Sequence, residues 1–193
     1  CTYSHGNTCN KGGTLEDAFT GAAKRGIASA ASYPFIAGHN GGHPGKTCRF
    51  DQGVAPVAGI TGFVEVEANN PEALMRAVAT HGPIAVGVDA SKHWDYYMGG
   101  ILDTCNHHHT AMDHDVLLIG YGEERGVKYW LVQNGWGSDW GEGGYIRIRR
   151  HGRAHCNRDS QEKGAIDCGE CGILTDPVYP TGAYVLHHSG GGD

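Results

Sequence analysis

Two side chains near the middle of the chain have the chemistry of a catalytic base and its orienter. His114 stands at the start of a predicted strand, and Asn134 is followed two residues later by Trp136. A side-chain amide that hydrogen-bonds an imidazole fixes its tautomer and orientation, and a neighbouring indole excludes water from that bond. The pattern therefore predicts acid–base catalysis by His114 with Asn134 as orienter, shielded by Trp136 and Trp140. The alternative is that His114 and Asn134 form a hydrogen-bonded pair in the core.

The elements that must position these side chains are mainly strands. Apolar, β-branched and aromatic residues separated by glycine-rich turns predict strands at 84–88, 116–121, 128–132 and 145–149. Residues 27–56 are predicted to form a surface loop, 151–170 a charged loop and 187–193 a flexible tail. We expect the site where this β-rich region meets a smaller helical one.

Two helices are predicted before these strands. Thr14 suits the position that caps a helix start, and the helix should end at Gly26. Asn70 and Pro71 suit the start of a second helix that ends at Gly82. A helical region followed by a β-rich one predicts an α+β fold.

The residues around His114 and Asn134 resemble the corresponding region of papain-like cysteine proteases. The matching motifs are Asp-His-Asp-Val at 113–116, Gly-Tyr-Gly at 120–122 and Asn-Gly-Trp-Gly-Ser-Asp-Trp-Gly-Glu-Gly-Gly-Tyr at 134–145. Further matches lie at residues 1, 9–13, 16–19, 32–34, 48–49 and 82–83. The resemblance implies hydrolysis of peptide bonds through a thioester acyl-enzyme. It also implies a papain-like two-lobe fold, with 1–60 in a partial helical lobe, 61–175 in an antiparallel β-barrel-like lobe, and 176–193 as a C-terminal segment and tail.

The nucleophile that this chemistry needs is not among the residues of the chain. In the family, the nucleophilic cysteine begins a helix, and the resemblance places it upstream of Cys1. We therefore expect an upstream segment, either as a separate disulfide-linked chain or as a part of the protein outside this sequence. Two alternatives remain: a non-catalytic relative whose cleft binds ligands, and a secreted binding protein stapled by disulfides.

Seven cysteines favour disulfides and an oxidising compartment, so we expect a secreted or a lysosomal or vacuolar protein. The resemblance implies a bridge between Cys1 and Cys48, and it implies another between Cys105 and Cys171. Cys156 and Cys168 remain and are predicted to pair across a loop. Cys9 is left without a partner in the chain, and the resemblance implies an upstream one. The alternative is that Cys9 is a reactive thiol just before the first helix.

The resemblance also implies substrate-binding residues. Gly12 and Gly13 would form a shelf, whereas four residues would surround the pocket for the second substrate residue before the cleaved bond: Gly87, Met112, Asp115 and Asp176, with Asp176 at the floor. Asp113 is also predicted to bind substrate. An open, acidic pocket predicts acceptance of Arg or Lys alongside apolar residues. The alternative is that Asp115 and Asp176 point to solvent.

Composition and motifs exclude several other classes of partner. The net charge of -6 leaves no basic stripe for nucleic acid, and no apolar run reaches membrane-spanning length. The run at residues 107–109 has three adjacent histidines, which cannot easily converge on one ion, and the chain has no H-E-x-x-H motif. We therefore expect no metal and no cofactor, and a peptide or protein as substrate.

Overall fold

The chain divides into two compact units. A computed structural model describes residues 12–34, 49–90, 92–105, 109–152, 156–159 and 166–186. The first unit comprises 1–64 and 180–193, and the second comprises 65–179. The boundaries predicted from the sequence lie near residues 60 and 175. The predicted C-terminal segment begins at residue 176, four residues before the stretch 180–193.

Both predicted helices are confirmed with their caps. Helix α1 (Leu15–Arg25) begins at Thr14, whose hydroxyl accepts a hydrogen bond from the Asp17 amide. Helix α2 (Pro71–His81) begins at Asn70, whose side chain accepts from the Ala73 amide. Each helix ends at a glycine with a positive φ, a conformation that costs glycine little. A short helix that was not predicted, α3, spans Lys92–Asp95. No helix among the described residues is long and apolar enough to cross a bilayer.

The four predicted strands are confirmed within a larger set, two of them with longer bounds. Strand 116–121 extends to 114–124 because its ladder with the next strand continues to the turn, where Glu124 pairs with Val127. The charged residues at this exposed end do not fit the apolar pattern from which the strand was predicted. In chain order, β1 to β12 are Ala58–Gly59, Gly62–Glu65, Ile84–Val88, Ile101–Leu102, His109–Thr110, His114–Glu124, Val127–Gln133, Tyr145–Arg149, Cys156–Asp159, Ile166–Cys168, Pro177–Thr181 and Tyr184–Val185.

The second unit is organised around a sheet in which six strands follow the order β11-β3-β6-β7-β8-β4. The β3–β6, β6–β7 and β7–β8 pairs are antiparallel. Residues that are buried at alternate positions of these strands form the core together with the inner face of α2. They include Ile84, Leu118, Trp130 and Ile146 on the strands and Leu74 on the helix. In the first unit, β1 pairs with β12, and Phe19 of α1 stacks on Phe63 at 6.0 Å.

The prediction of a loop over 151–170 was wrong for part of that segment. Strands β9 and β10 form an antiparallel pair, and β9 also pairs with β5. Cys156 and Cys168 lie opposite each other in this ladder and are joined by a disulfide. The cross-link closes the hairpin, so the strands form without an alternating apolar pattern.

Candidate active site

The core of the site is a hydrogen bond between the two residues that the sequence singled out. His114 is the first residue of β6, and Asn134 directly follows β7. The Nε2 atom of His114 lies 2.8 Å from Oδ1 of Asn134. Asn134 is 8% exposed, so the bond is largely removed from solvent. The chain therefore brings an imidazole and its predicted orienter together.

The backbone determines the tautomer of His114. The amide N–H of Gly135 donates to Oδ1 of Asn134 at 2.7 Å, which requires that atom to be the oxygen. Because an amide oxygen can only accept, Nε2 of His114 must carry the proton and donate it. In the neutral imidazole, Nδ1 is then the basic nitrogen. Among the described residues, Nδ1 has no hydrogen-bond partner.

The other end of the Asn134 amide is unsatisfied. Its Nδ2 is buried and has no hydrogen-bond partner among the residues that the structure describes. An unpaired buried donor costs about 1–3 kcal/mol.

Three indoles form a cluster at the imidazole, and two of them contact its ring. The Trp136 ring lies 5.2 Å from that of His114, and Trp140 meets Trp136 edge-on at 5.3 Å. Trp136 is 42% exposed, so one of its sides faces solvent while the other faces the histidine. Of the two predicted shield residues, Trp136 thus lies beside the imidazole, and Trp140 packs against Trp136.

Trp94 is the third indole, and sequence reasoning missed it. It lies on α3, is fully buried, and meets the His114 ring edge-on at 6.0 Å. It also stacks on Trp140 at 5.8 Å, and its carbonyl accepts the Trp140 Nε1–H at 2.9 Å. A lone tryptophan in an unrecognised four-residue helix gave no periodic signal, although its residue type was a reason to consider it.

The loop that carries Trp136 and Trp140 is held by an ion-pair network. Arg147 on β8 donates to both carboxylate oxygens of Glu142, and Glu142 accepts the Gly100 amide at 2.9 Å. The hydrogen bonds from Arg147 hold the pKa of Glu142 below its ordinary value of 4.5, and the pKa of Arg147 is raised in turn. Burial raises the pKa of Tyr97, whose hydroxyl accepts the Arg147 amide.

Gly141 shows how tightly this loop is packed. Its φ is +57°, and a Cβ there would lie 2.7 Å from the Tyr145 carbonyl oxygen and 2.9 Å from the Tyr97 ring. Only glycine satisfies both the conformation and the space.

Three predicted pocket residues lie in one row across the sheet. Gly87 pairs with Asp115, and Pro177 pairs with Val86, so continuing that register by one residue places Asp176 opposite Gly87. Directly opposed residues of neighbouring strands project from the same face. Asp115 Oδ1 lies 3.8 Å from the position that a Cβ on residue 87 would occupy.

Met112 modifies the expectation of an open pocket. Its Cε lies 3.0 Å from the position of a Cβ at residue 87, so the methyl group takes up part of the space that the glycine leaves. A methionine side chain is flexible, and its methyl can move when a ligand enters.

The other predicted substrate residues are placed differently. The Asp113 carboxylate accepts the Ala90 amide at 2.9 Å, so it braces the backbone beside the site. Gly12 and Gly13 lie exposed in the first unit. Cys1, Cys9 and Cys48 are outside the described residues, and so are the bridge and the leftover thiol predicted for them.

The structure contains two disulfides at positions where pairing was expected. Cys105 is joined to Cys171, and Cys156 is joined to Cys168. These four sulfurs are therefore unavailable as nucleophiles.

Two groups of metal-type ligands occur among the described residues, and neither indicates a metal site. In the first, which contains Glu170, the two sulfurs belong to the Cys105–Cys171 disulfide. In the second, His151 Nε2 lies 3.2 Å from a carboxylate oxygen of both Asp103 and Glu170, which are hydrogen-bond contacts. Of the histidine run, residues 107 and 108 lie outside the described residues.

Comparisons with known proteins identify the family of the chain. The model of the papain family of cysteine proteases matches residues 1–180. The chain is 39% identical to thiol protease SEN102 of Hemerocallis sp., over 93% of this chain and 44% of that protein. It is also 39% identical to digestive cysteine proteinase 3 of Homarus americanus, over 94% of this chain and 50% of that protein.

A solved structure is similar as well. The bromelain protease of Ananas comosus in complex with the E64 inhibitor matches with a TM-score of 0.71 and 38% identity, over 89% of this chain and 71% of that one. The expected α+β, papain-like fold is confirmed. The chain spans about half the length of the curated relatives it matches.

Proposed function

Because the chain belongs to the papain family of cysteine proteases, we propose that it supplies the base and the orienter of a cysteine endopeptidase. The substrate is a peptide or protein, and the reaction is hydrolysis of a peptide bond. The observation that carries the proposal is the 2.8 Å bond from His114 Nε2 to Asn134 Oδ1. This bond leaves Nδ1 as the nitrogen that exchanges protons with the reacting groups.

The proton transfers follow from that tautomer. Nδ1 of His114 takes the proton of a cysteine thiol, and the thiolate attacks the substrate carbonyl carbon. The resulting imidazolium donates from Nδ1 to the leaving amine as the carbon–nitrogen bond breaks, which produces a thioester. His114 then takes a proton from water as the water oxygen attacks the thioester carbon, and it returns this proton to the sulfur as the carbon–sulfur bond breaks.

Asn134 and the indoles maintain this cycle. The Asn134 oxygen accepts from Nε2 in both the neutral and the charged imidazole, so the ring keeps one orientation throughout. Trp136 covers one side of the pair, and a hydrogen bond that is protected from water is electrostatically stronger than an exposed one.

We place the nucleophilic cysteine outside these 193 residues, on an upstream segment or a light chain that is linked through Cys9. Two observations support this assignment. Four of the seven cysteines are in disulfides, and the chain spans about half the length of its curated relatives. In the complete protein, we expect the two units to correspond to the two lobes of the family fold.

The acidic row at Gly87 supports a substrate preference. Asp115 and Asp176 occupy the positions on either side of Gly87, and Met112 lines the same space. A guanidinium or ammonium group that enters this pocket would pair with carboxylates in a partly dry environment. We propose that the enzyme accepts Arg or Lys as the second residue before the cleaved bond, alongside apolar residues.

The disulfides support a location in an oxidising compartment, either secreted or lysosomal or vacuolar. No part of the proposal requires a metal or another cofactor, since the thiol, the imidazole and water carry the reaction.

Hydrolysis of fluorogenic peptide amides by the complete protein tests the proposal. Replacing His114 with Ala should lower kcat/KM by about 10²- to 10⁴-fold, because the proton-transfer group is lost. His81, whose ring stacks on Tyr179 elsewhere in the second unit, provides a control, and His81→Ala should retain the activity. Equal activity of wild type and His114→Ala would overturn the role of His114, and complete inactivity of the wild type would favour a non-catalytic relative.

A further inference from the structure

We propose that Asp89 is a positioning residue that determines the path of residues 111–113 and, through Met112, the shape of the substrate pocket at Gly87. The geometry of Asp89 stands on its own. The consequence for substrates rests on the proposed function.

Two carboxylates clamp the ends of neighbouring strands beyond the regular ladder. Val88 pairs with His114 at the last position of the β3–β6 ladder, and the Asp113 amide donates to the Val88 carbonyl at 3.2 Å. Past this point, the Asp89 Oδ2 atom accepts the Ala111 amide at 3.1 Å. The Asp113 Oδ1 atom accepts the Ala90 amide at 2.9 Å. Each chain segment thus gives a carboxylate to an amide of the other.

The two halves of this clamp differ in their burial. Asp89 is 5% exposed, whereas Asp113 is exposed and its bond lies at the surface. Water can replace a lost acceptor at the surface, but it reaches the part-buried amide of Ala111 less readily. The Asp89 half should therefore contribute more to the position of residues 111–113.

Asp89 is itself held from a second direction. Its backbone amide donates to the Cys171 carbonyl at 2.9 Å, and Cys171 is joined to Cys105 by a disulfide. The carboxylate therefore projects from a cross-linked part of the second unit onto a segment of irregular chain between β5 and β6.

The segment that Asp89 holds includes the pocket wall. Met112 follows Ala111 directly, and its Cε lies 3.0 Å from where a side chain at Gly87 would begin. A shift of Ala111 would move Met112 relative to Gly87 and change the room for a substrate side chain. His114 is held separately by the β6 ladder and by Asn134, so we expect an effect on substrate selectivity and KM more than on kcat.

Hydrogen exchange in the complete protein tests the clamp without any need for activity. In Asp89→Ala, the Ala111 amide should exchange about five- to tenfold faster, because its acceptor is lost. In Asp89→Asn, which keeps an oxygen acceptor at the same position, exchange should stay close to that of wild type. Should Asp89→Ala not fold, Asp89→Ser provides the same test, since its shorter side chain does not reach Ala111.

Substrate selectivity then tests the functional part. For paired peptides with Arg or Leu as the second residue before the cleaved bond, Asp89→Ala should change the ratio of kcat/KM by about three- to tenfold, chiefly through KM. Asp89→Asn should restore the ratio. Asn70→Ala is a matched control, because it removes a similar side-chain acceptor from the Ala73 amide at the start of α2. It should lower stability without altering the ratio.

Two results would overturn the inference. Unchanged exchange of Ala111 in Asp89→Ala would disprove the clamp. A selectivity ratio that moves no more than in Asn70→Ala would leave Asp89 with only a structural role. If the complete protein hydrolyses no peptide, the proposed function fails, whereas the exchange result still decides whether Asp89 holds the segment.

Discussion

The Asn134 side-chain oxygen accepts two hydrogen bonds, one from His114 Nε2 at 2.8 Å and one from the backbone amide of the next residue at 2.7 Å. The second bond turns the amide so that its oxygen, and not its nitrogen, faces the imidazole. The relationship between His114 and Asn134 therefore determines which imidazole nitrogen is basic, and with it the direction from which a thiol must approach.

Removing the orienter should impair catalysis without removing the base. In the complete protein, Asn134→Ala should lower kcat/KM by about 10²-fold, because the imidazole is no longer held in its productive orientation. Steady-state kinetics on a peptide amide measure the effect. Gln133, whose side chain is exposed at the end of β7, is a matched control, and Gln133→Ala should leave kcat/KM unchanged. Retention of full activity by Asn134→Ala would show that the bond is only a core contact.

Trp94 should matter chiefly for stability. It is fully buried among His114, Trp136 and Trp140, so Trp94→Ala should lower the free energy of unfolding by about 3–5 kcal/mol. Its indole N–H has no hydrogen-bond partner among the described residues, so Trp94→Phe gives up no such bond and should cost much less. Denaturant unfolding of both variants checks the difference. Equal losses for Phe and Ala would contradict the expectation that a smaller aromatic ring keeps most of the packing.

The two pocket carboxylates should determine the preference for a basic side chain. Asp176→Ala and Asp115→Ala should each lower kcat/KM for a peptide that has Arg as the second residue before the cleaved bond. The peptide with Leu at that position should be cleaved as well as by wild type, or better. A reduction of about tenfold for Arg corresponds to the loss of one partly desolvated ion pair, about 1.4 kcal/mol. Asp95→Ala, at an exposed position on α3, serves as the charge-matched control. If wild type cleaves the Arg peptide no better than the Leu peptide, the proposed acidic pocket is refuted.

The pair between Glu142 and Arg147 should make stability depend on acidity. Because the pKa of Glu142 is lowered in the folded protein, its contribution is fully present above the ordinary value of 4.5 and is lost as the pH falls through the lowered pKa. Glu142→Gln should therefore be less stable than wild type at neutral pH, and the gap should shrink below about pH 4.5. Thermal unfolding measured from neutral to strongly acidic pH gives this gap. A constant difference over the whole range would mean that the charge of Glu142 does not contribute.

Local signals predicted the parts of the fold that local chemistry decides. The caps at Thr14 and Asn70 and the glycines that follow each helix satisfy exposed backbone groups within a few residues, so they can be read from the sequence. The pairing of β9 with β10 could not be read in this way. The disulfide between Cys156 and Cys168 was predicted, but the strands that it joins are polar and have no alternating pattern.

In the site, too, the residues with a local sequence signal were predicted, and those that act through distant contacts were not. His114, Asn134 and Trp136 were predicted because they lie in a dense motif, and the row at Gly87 came from the family resemblance. Trp94 and Asp89 were not found, because each acts through contacts with residues that are distant in sequence. Neither residue has a neighbouring motif that indicates its role, and only the folded chain brings each one to its partner.

Covalent labelling of the complete protein by a thiol-directed epoxide tests the central claim most directly, since it reports both the nucleophile and its activation by His114. We predict one modified cysteine, outside residues 1–193, and labelling about 10²-fold slower in His114→Ala, because the imidazolium no longer stabilises the thiolate. Mass spectrometry of peptides from the labelled protein identifies the site. Labelling of Cys9 within the chain, or labelling at the same rate in wild type and His114→Ala, would contradict the account.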